Sequence, residues 1–171
     1  PSDDIPLIIG GGADAAVRRA ARYAVGFFSN ASPSRLLEQI TIANEELAEL
    51  GRDPESFRWS YYGGMYPGDR SEIIDSVWLQ LWKYSDMEAS ASRPGLSSPP
   101  PLTDEMRGKI EQRIIGGSSQ EIVDTMNALR DQAGVPIDWV ARSYFPDVSF
   151  ERQKDIAAQL ATEVMPFLPT G

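Results

Sequence analysis

The 171-residue sequence has no cysteine and no histidine. The first absence removes disulfides, thiolate nucleophiles and Cys-ligated metals. The second removes imidazole general bases, His-based triads and the usual zinc ligands, so no catalytic acid or base is named from the residues alone. Cations are also scarce: 16 Lys plus Arg against 25 Asp plus Glu leave a formal charge of −9. That balance argues against a broad duplex-binding surface, because phosphate contacts need clustered cations. Long apolar runs are missing too, and no signal-peptide pattern opens the chain. No nucleic acid, metal or membrane is therefore expected as a partner, and a cytoplasmic location is the default. With 42% hydrophobic residues the chain can still bury one sizeable core.

What is present is a repeated alternation of strand and helix signals. Ile5-Pro6-Leu7-Ile8-Ile9 runs into Gly10-Gly11-Gly12-Ala13-Asp14 and then an alanine-rich helical pattern, which reads as a strand, a tight turn and a helix N-terminus. Such a junction offers unpaired N–H groups and the positive end of a helix dipole to an anion. Arg18, Arg19 and Arg22 read as a solvated helix face, and Glu45-Glu46 as solvated charge. Because the chain opens on Pro1 and enters a strand within a few residues, an upstream segment is expected to have been removed.

Further along, residues 25–29 form a second short apolar run, followed by a helix with Leu36, Leu37, Ile40, Ala43, Leu47 and Leu50 at helical spacing and Gly51 as its stop. Residues 57–62 alternate as a third strand, ending at a glycine-rich loop, Gly63-Gly64. The next helix carries Ile73, Ile74, Val77, Leu81 and Trp82. Periodicity then fades over about residues 86–117, which reads as an irregular Pro/Ser-rich insertion with one weak helical piece. Ser118 with Glu121 is a capping-box pattern before Ile122, Val123, Met126 and Leu129. Residues 137–143 alternate as a fourth strand, and a last helix carries Ile156, Leu160, Val164 and Phe167. The order predicts an α/β fold of about four β/α units with parallel strands.

Four such units make either a small doubly wound sheet or half of an eight-unit barrel. Gly10-Gly11-Gly12-Ala13-Asp14-Ala15 fits the dinucleotide fingerprint G-x-G-x-x-A in the right context. However, the acidic residue that should follow about 20 positions on is replaced by Ser29 and Asn30. A Rossmann-type dinucleotide-binding domain stays as one alternative, and a non-catalytic half-barrel that associates with another subunit as a second.

The residues from Pro6 to Phe28, with their strand, Ile-Gly-Gly-Gly turn, Ala/Arg helix and Gly-Phe-Phe strand, resemble the corresponding segment of luciferase-like monooxygenases. Gly116-Gly117-Ser118-Ser119-Gln120-Glu121 resembles that family's Gly-Thr-Pro-Glu-Glu helix start. Tyr144-Phe145-Pro146-Asp147 and the closing Met165-Pro166-Phe167-Leu168 resemble its C-terminal end. Together these segments cover nearly the whole chain, in the family's order.

The resemblance implies a flavin- or deazaflavin-dependent oxidoreductase or monooxygenase on a TIM-type (β/α)8 barrel, with FMN or a coenzyme F420-type deazaflavin as cofactor and a small organic substrate. It covers only the C-terminal half of that barrel. It thus implies one partial barrel domain over 1–171, an N-terminal half as partner, a homo-oligomer as the common assembly, and an isolated chain that is inactive. The histidine used by several relatives belongs to the other half. The family's phosphate loop falls on Gly10, Gly11, Gly12, Ala13 and Ala15, with Ser29 beside it, and the Asp14 carboxylate is expected to point away from the anion. By the rule that barrel sites gather at the C-terminal ends of strands, Asn30, residues 63–66 and residues 143–145 are further candidates, and Arg142 is expected either to neutralise a carboxylate of the other half or to face solvent at an open edge.

Overall fold

A computed structural model describes residues 5–90 and 99–169. Five strands, β1 (Ile8–Gly10), β2 (Gly26–Ser29), β3 (Arg58–Pro67), β4 (Ile114–Gly117) and β5 (Ile137–Arg142), form one sheet whose named pairings are all parallel. Six α-helices alternate with them: α1 (Asp14–Tyr23), α2 (Pro33–Glu49), α3 (Ile74–Ser90), α4 (Asp104–Glu111), α5 (Ser119–Ala133) and α6 (Phe150–Gln159). Most of these helices start where the sequence supplies a cap. Ser32, Thr103, Ser118 and Ser149 each accept a backbone N–H of the first turn, and Ser118 with Glu121 completes the full capping box. Gly134 ends α5 in the left-handed conformation that favours glycine.

The strands run β1-β2-β3-β5 in sequence order across the sheet, with β4 added where β3 outruns its first neighbour. Residues 58–61 of β3 pair with β2, and from Gly64 onward β3 pairs with β4. Gly64 lies opposite both Ile114 and Arg142, so β4 occupies the β2 side and β5 the other. This order differs from a Rossmann sheet, where the first strand is central; here β1 is an edge.

Alternation along the strands separates two faces. One face carries Phe27, Trp59 and Tyr61, all buried in a common core with Val17 and Ala20 of α1, Leu36, Ile40 and Leu47 of α2, Ile122 and Met126 of α5, and Ile156 of α6. The opposite face carries Phe28, Tyr62 and Arg142 and leaves Ile8 and Val140 exposed, with an exposed ion pair between Arg58 and Asp138.

Several sequence expectations are corrected. There are five strands rather than four: Ile114-Ile115 offers only two apolar residues before two glycines, too short a run to register. Gly63-Gly64 is not a loop but the interior of β3, where the missing Cβ of Gly63 leaves room for the Tyr61 ring, whose edge would lie 2.5 Å from it. The stretch 86–117 contains the end of α3, all of α4 and β4, while residues 91–98 lie outside the described residues. Phe167 is 65% exposed rather than on the buried face, because the last helix turns into a π turn (Leu160–Val164) and a 3-10 turn around Pro166.

Arg18, Arg19 and Arg22 keep solvent exposure, but Glu46 is not solvated charge. The Arg18 and Arg22 guanidiniums bind Glu46 of α2, at 3.0 and 2.5 Å, and the Glu46 side chain is only 3% exposed. The two charge-assisted bonds, from Arg22 first and then Arg18, hold its carboxyl below the usual range. A depressed folded-state pKa means stability that is present above the unfolded value, about 4.3, and is lost as pH falls through the folded one. Glu46→Gln is therefore expected to lower the urea midpoint at pH 7, with the gap to wild type closing as pH falls below the unfolded value of about 4.3 and through the lowered folded one. An unchanged gap across that range would show that the pair is not the source.

Candidate functional site

The glycine turn sits at the C-terminal end of β1, directly against β2. Gly10 is the last residue of β1, and a Cβ there would lie 3.0 Å from the Phe28 carbonyl oxygen. Gly11 donates its N–H to that same carbonyl at 3.4 Å and adopts a φ of 150°, where a side chain is strained and would also meet Ala16. Ala13 is the N-cap of α1, and, unlike the caps of α2, α4, α5 and α6, it provides no side-chain oxygen. Among the described residues the N–H groups of Gly12, Ala13, Asp14 and Ala15 have no hydrogen-bond partner. Four consecutive donors thus face solvent at the positive end of a helix, the arrangement that receives an anion.

Helix α2 flanks this turn with two side chains. Arg35 pairs with Asp14 and, at 2.6 Å, with Glu38, so the one carboxylate in the turn is held by a cation. Gln39, fully buried, donates its Nε2 to the carbonyls of Gly11 and Gly12, each at 3.3 Å. Its Oε1 accepts the Ser29 hydroxyl at 2.6 Å, and Ser29 is also fully buried. Ser29 therefore lies beneath the turn, with its hydroxyl directed at Gln39.

Beside the turn, a cavity of about 440 Å³ opens over the middle of β3. Phe28 forms its wall nearest Gly10. Phe28 and Tyr62 stack with ring centroids 5.9 Å apart, and the Arg142 guanidinium sits 5.8 Å over the Tyr62 ring. Gln80 of α3 forms part of the roof; its Nε2 donates to the Tyr144 carbonyl at 2.9 Å, leaving a buried Oε1 that has no partner among the described residues. Arg113, at the start of β4, donates to the Asn30 carbonyl at 2.9 Å and closes the rim between β2 and β4. Among the described residues, the charged ones lining the cavity are these two arginines.

Of the residues singled out by strand ends, Asn30, Gly63, Gly64, Arg142 and Phe145 line the cavity. Met65 and Tyr66 do not; both are buried, and the Tyr66 hydroxyl donates to Glu72 at 2.5 Å, with burial first and Glu72 second raising its pKa. Tyr61, on the helix-covered face, is pushed up to about 12 by burial and donates to the Ala31 carbonyl at 3.2 Å, so its phenol stays protonated. Sequence reasoning missed Gln39, Tyr62, Gln80 and Arg113. For Gln39 a signal existed: it lies three residues after Leu36 and four before Ala43, so a polar side chain occupies a core position of the helical repeat. Arg113 had no local signal, since only the pairing of β4 with β3 brings it to Asn30.

Among the described residues no group of carboxylates is placed to hold a metal ion, and no helix is long and apolar enough to cross a membrane. The profile of a family described as luciferase-like monooxygenase matches residues 1–136. No curated protein matches the sequence. Among solved structures, the chain is similar to a coenzyme F420-dependent tetrahydromethanopterin reductase from Methanopyrus kandleri, with 21% identity, 97% of this chain and 52% of that chain covered, and a TM-score of 0.66. It is also similar to the FMN-bound oxygenating constituent of 3,6-diketocamphane monooxygenase from Pseudomonas putida, with 16% identity, coverage of 98% and 49%, and a TM-score of 0.55. A third likeness is to flavoprotein 390, with 13% identity, coverage of 95% and 71%, and a TM-score of 0.60. The chain thus spans about half the length of the first two of these structures, and the likeness is one of fold: a parallel α/β arrangement like that of luciferase-like TIM-barrel enzymes.

Proposed function

Because the chain belongs to the luciferase-like monooxygenase family, we propose that it is part of a flavin- or deazaflavin-dependent oxidoreductase, the C-terminal half of a (β/α)8 barrel that contributes the cofactor's phosphate site. One observation carries this reading: four unpartnered N–H groups, from Gly12 to Ala15, at the C-terminal end of β1 and next to a cavity over β3. Barrel enzymes build their sites at that end of the strands. In this reading β1, β2, β3 and β5 are four consecutive barrel strands, 1–171 is a single partial domain, and the described residues of α3 and β4 form an excursion that roofs the site. The open edges of β1 and β5 and the uncovered face with Ile8 and Val140 are where the N-terminal half would complete the barrel.

The residues present fit the cofactor's two ends. An FMN phosphate, or the phosphodiester of a deazaflavin, would be held by the N–H groups of Gly12, Ala13 and Ala15, with Gly10 and Gly11 leaving the approach free of side chains. The tricyclic ring would lie in the adjoining cavity against Phe28 and Tyr62. When bound, that ring supplies the hydride chemistry, and the protein supplies orientation, a dry pocket and hydrogen bonds. Gln80 Oε1 is positioned to accept a ligand N–H or O–H, because its amide nitrogen is already committed to Tyr144. Arg113 and Arg142 make the cavity favourable to negative charge that develops on a bound ring or substrate. Val77, Leu81 and Phe145 exclude water on the roof side.

Titrating the chain with FMN, riboflavin and NAD checks the reading. FMN is expected to bind saturably and at least about tenfold more tightly than riboflavin, because charge-assisted hydrogen bonds to a phosphate are among the stronger ones. NAD binding without flavin binding would favour the dinucleotide alternative, and no preference for FMN over riboflavin would remove the phosphate role from the turn.

A further inference from the structure

We infer that Gln39 is the positioning residue of the phosphate site: it aims the N–H groups of Gly12 and Ala13 without touching the ligand. The inference rests on the reading of the turn proposed above and adds what sets its geometry. A peptide group is planar and trans, so the N–H of each residue points opposite to the carbonyl before it. Gln39 Nε2 draws the carbonyls of Gly11 and Gly12 to one side, each at 3.3 Å. The N–H groups of Gly12 and Ala13 are thereby turned to the other side, where no protein group meets them.

The orientation of the Gln39 amide is itself determined. A flipped amide would set Oε1 against two carbonyl oxygens and leave the Ser29 hydroxyl facing an NH2 group. As it stands, Ser29 donates to Oε1 at 2.6 Å, while the Ser29 oxygen accepts the N–H of Ala31 at 3.4 Å. The chain of bonds runs from the start of the β2–α2 loop through Ser29 and Gln39 to the glycine turn. Both Ser29 and Gln39 are 0% exposed, so water cannot substitute for either partner.

Arg35 lies one helical turn before Gln39 on α2 and therefore on the same face. It holds Asp14, whose carboxylate would otherwise repel an anion at the adjoining N–H groups. One face of α2 thus performs two tasks for a turn that belongs to a different β/α unit: Gln39 sets the direction of the donors, and Arg35 neutralises the single carboxylate among them.

The test compares FMN with riboflavin, which lacks the phosphate, on the wild-type chain and on Gln39→Leu, Gln39→Glu and Ser29→Ala, with thermal unfolding followed in parallel. Gln39→Leu and Gln39→Glu are expected to lose about tenfold or more in FMN affinity while riboflavin affinity stays within about twofold, so that the preference for the phosphate collapses. Ser29→Ala, which keeps the glutamine but frees it, is expected to lose about threefold in the same selective way and serves if the Gln39 variants fail to fold. Equal losses for both ligands, or an undiminished FMN preference in folded variants, overturn the role of Gln39. A wild-type chain with no FMN preference overturns instead the reading of the turn on which it rests.

Discussion

Trp59→Ala is expected to cost about 3–5 kcal/mol of folding stability, the range for removing a fully buried large aromatic. The indole is 1% exposed and lies on the central strand of the sheet, between Phe27 on β2 and Ile137 on β5. Its ring meets Phe27 edge-on at 5.8 Å and Phe57 at 5.5 Å, so one truncation dissolves both aromatic contacts and leaves a void between two strands. Against a typical net stability of about 5–15 kcal/mol, that is a large share, and equilibrium urea unfolding will show it as a fall in midpoint. Trp59→Phe is expected to lose less than half as much. Among the described residues the indole Nε1 has no hydrogen-bond partner, and a buried orphan donor costs about 1–3 kcal/mol that phenylalanine does not incur. If the phenylalanine variant is as unstable as the alanine one, the indole N–H is satisfied in solution and the argument from its burial is wrong.

Gly26→Ala is expected to cost about 3 kcal/mol, near the upper end for overpacking. A Cβ at this position would lie 2.5 Å from the Arg58 carbonyl oxygen and 2.9 Å from the Arg58 Cβ, and the first of these is backbone that cannot rotate aside. Gly26 and Arg58 are register partners, so relief of the clash means moving β2 away from β3. Because β2 carries Phe28 into the cavity wall and Ser29 to Gln39, the same shift is expected to disturb both the cavity and the Gln39 contact. Gly108→Ala provides the contrast. It lies within α4 with nothing within 4 Å of the added methyl, and it should gain about 0.5–1 kcal/mol from helix propensity. Differential scanning calorimetry on the two variants would show opposite shifts. A Gly26→Ala protein as stable as wild type would mean that β2 and β3 have more slack than their pairing allows.

Where local chemistry decides an element, the sequence was readable. Ser118 and Glu121 announce α5 because both halves of the capping box are local, and Gly134 stops it for a reason intrinsic to glycine. The order of strands and helices follows from the same punctuation, and with it the parallel sheet. Elements decided by distant neighbours were not readable. β4 exists because β3 continues past the end of β2 and offers a free edge to Ile114-Ile115, which no window around residue 114 contains. Glu46 resembles its neighbour Glu45 in sequence, yet it is buried because two arginines of α1 reach it. The glycine turn itself was legible from its own residues, whereas Gln39, which bonds the carbonyls of Gly11 and Gly12, belongs to α2 and was not.

The long strand β3 changes its neighbour partway along, from β2 to β4, while β5 stays alongside it. The sheet is thereby divided into a frame and an annex. After Pro67 the chain leaves the frame, and by Ser118 it has returned beside the same strand, with Gly68 and Gly117 bridging the exit and the return at 2.9 and 3.0 Å. A segment closed off in this way can be lengthened, shortened or exchanged at its far end without changing the register of β1, β2, β3 or β5. Yet it carries Val77, Gln80, Leu81, Arg113 and Ile114 to the cavity. The architecture therefore separates inheritance of the glycine turn from variation of the roof, and chains sharing this frame can diverge in what the cavity accommodates while keeping the turn unchanged.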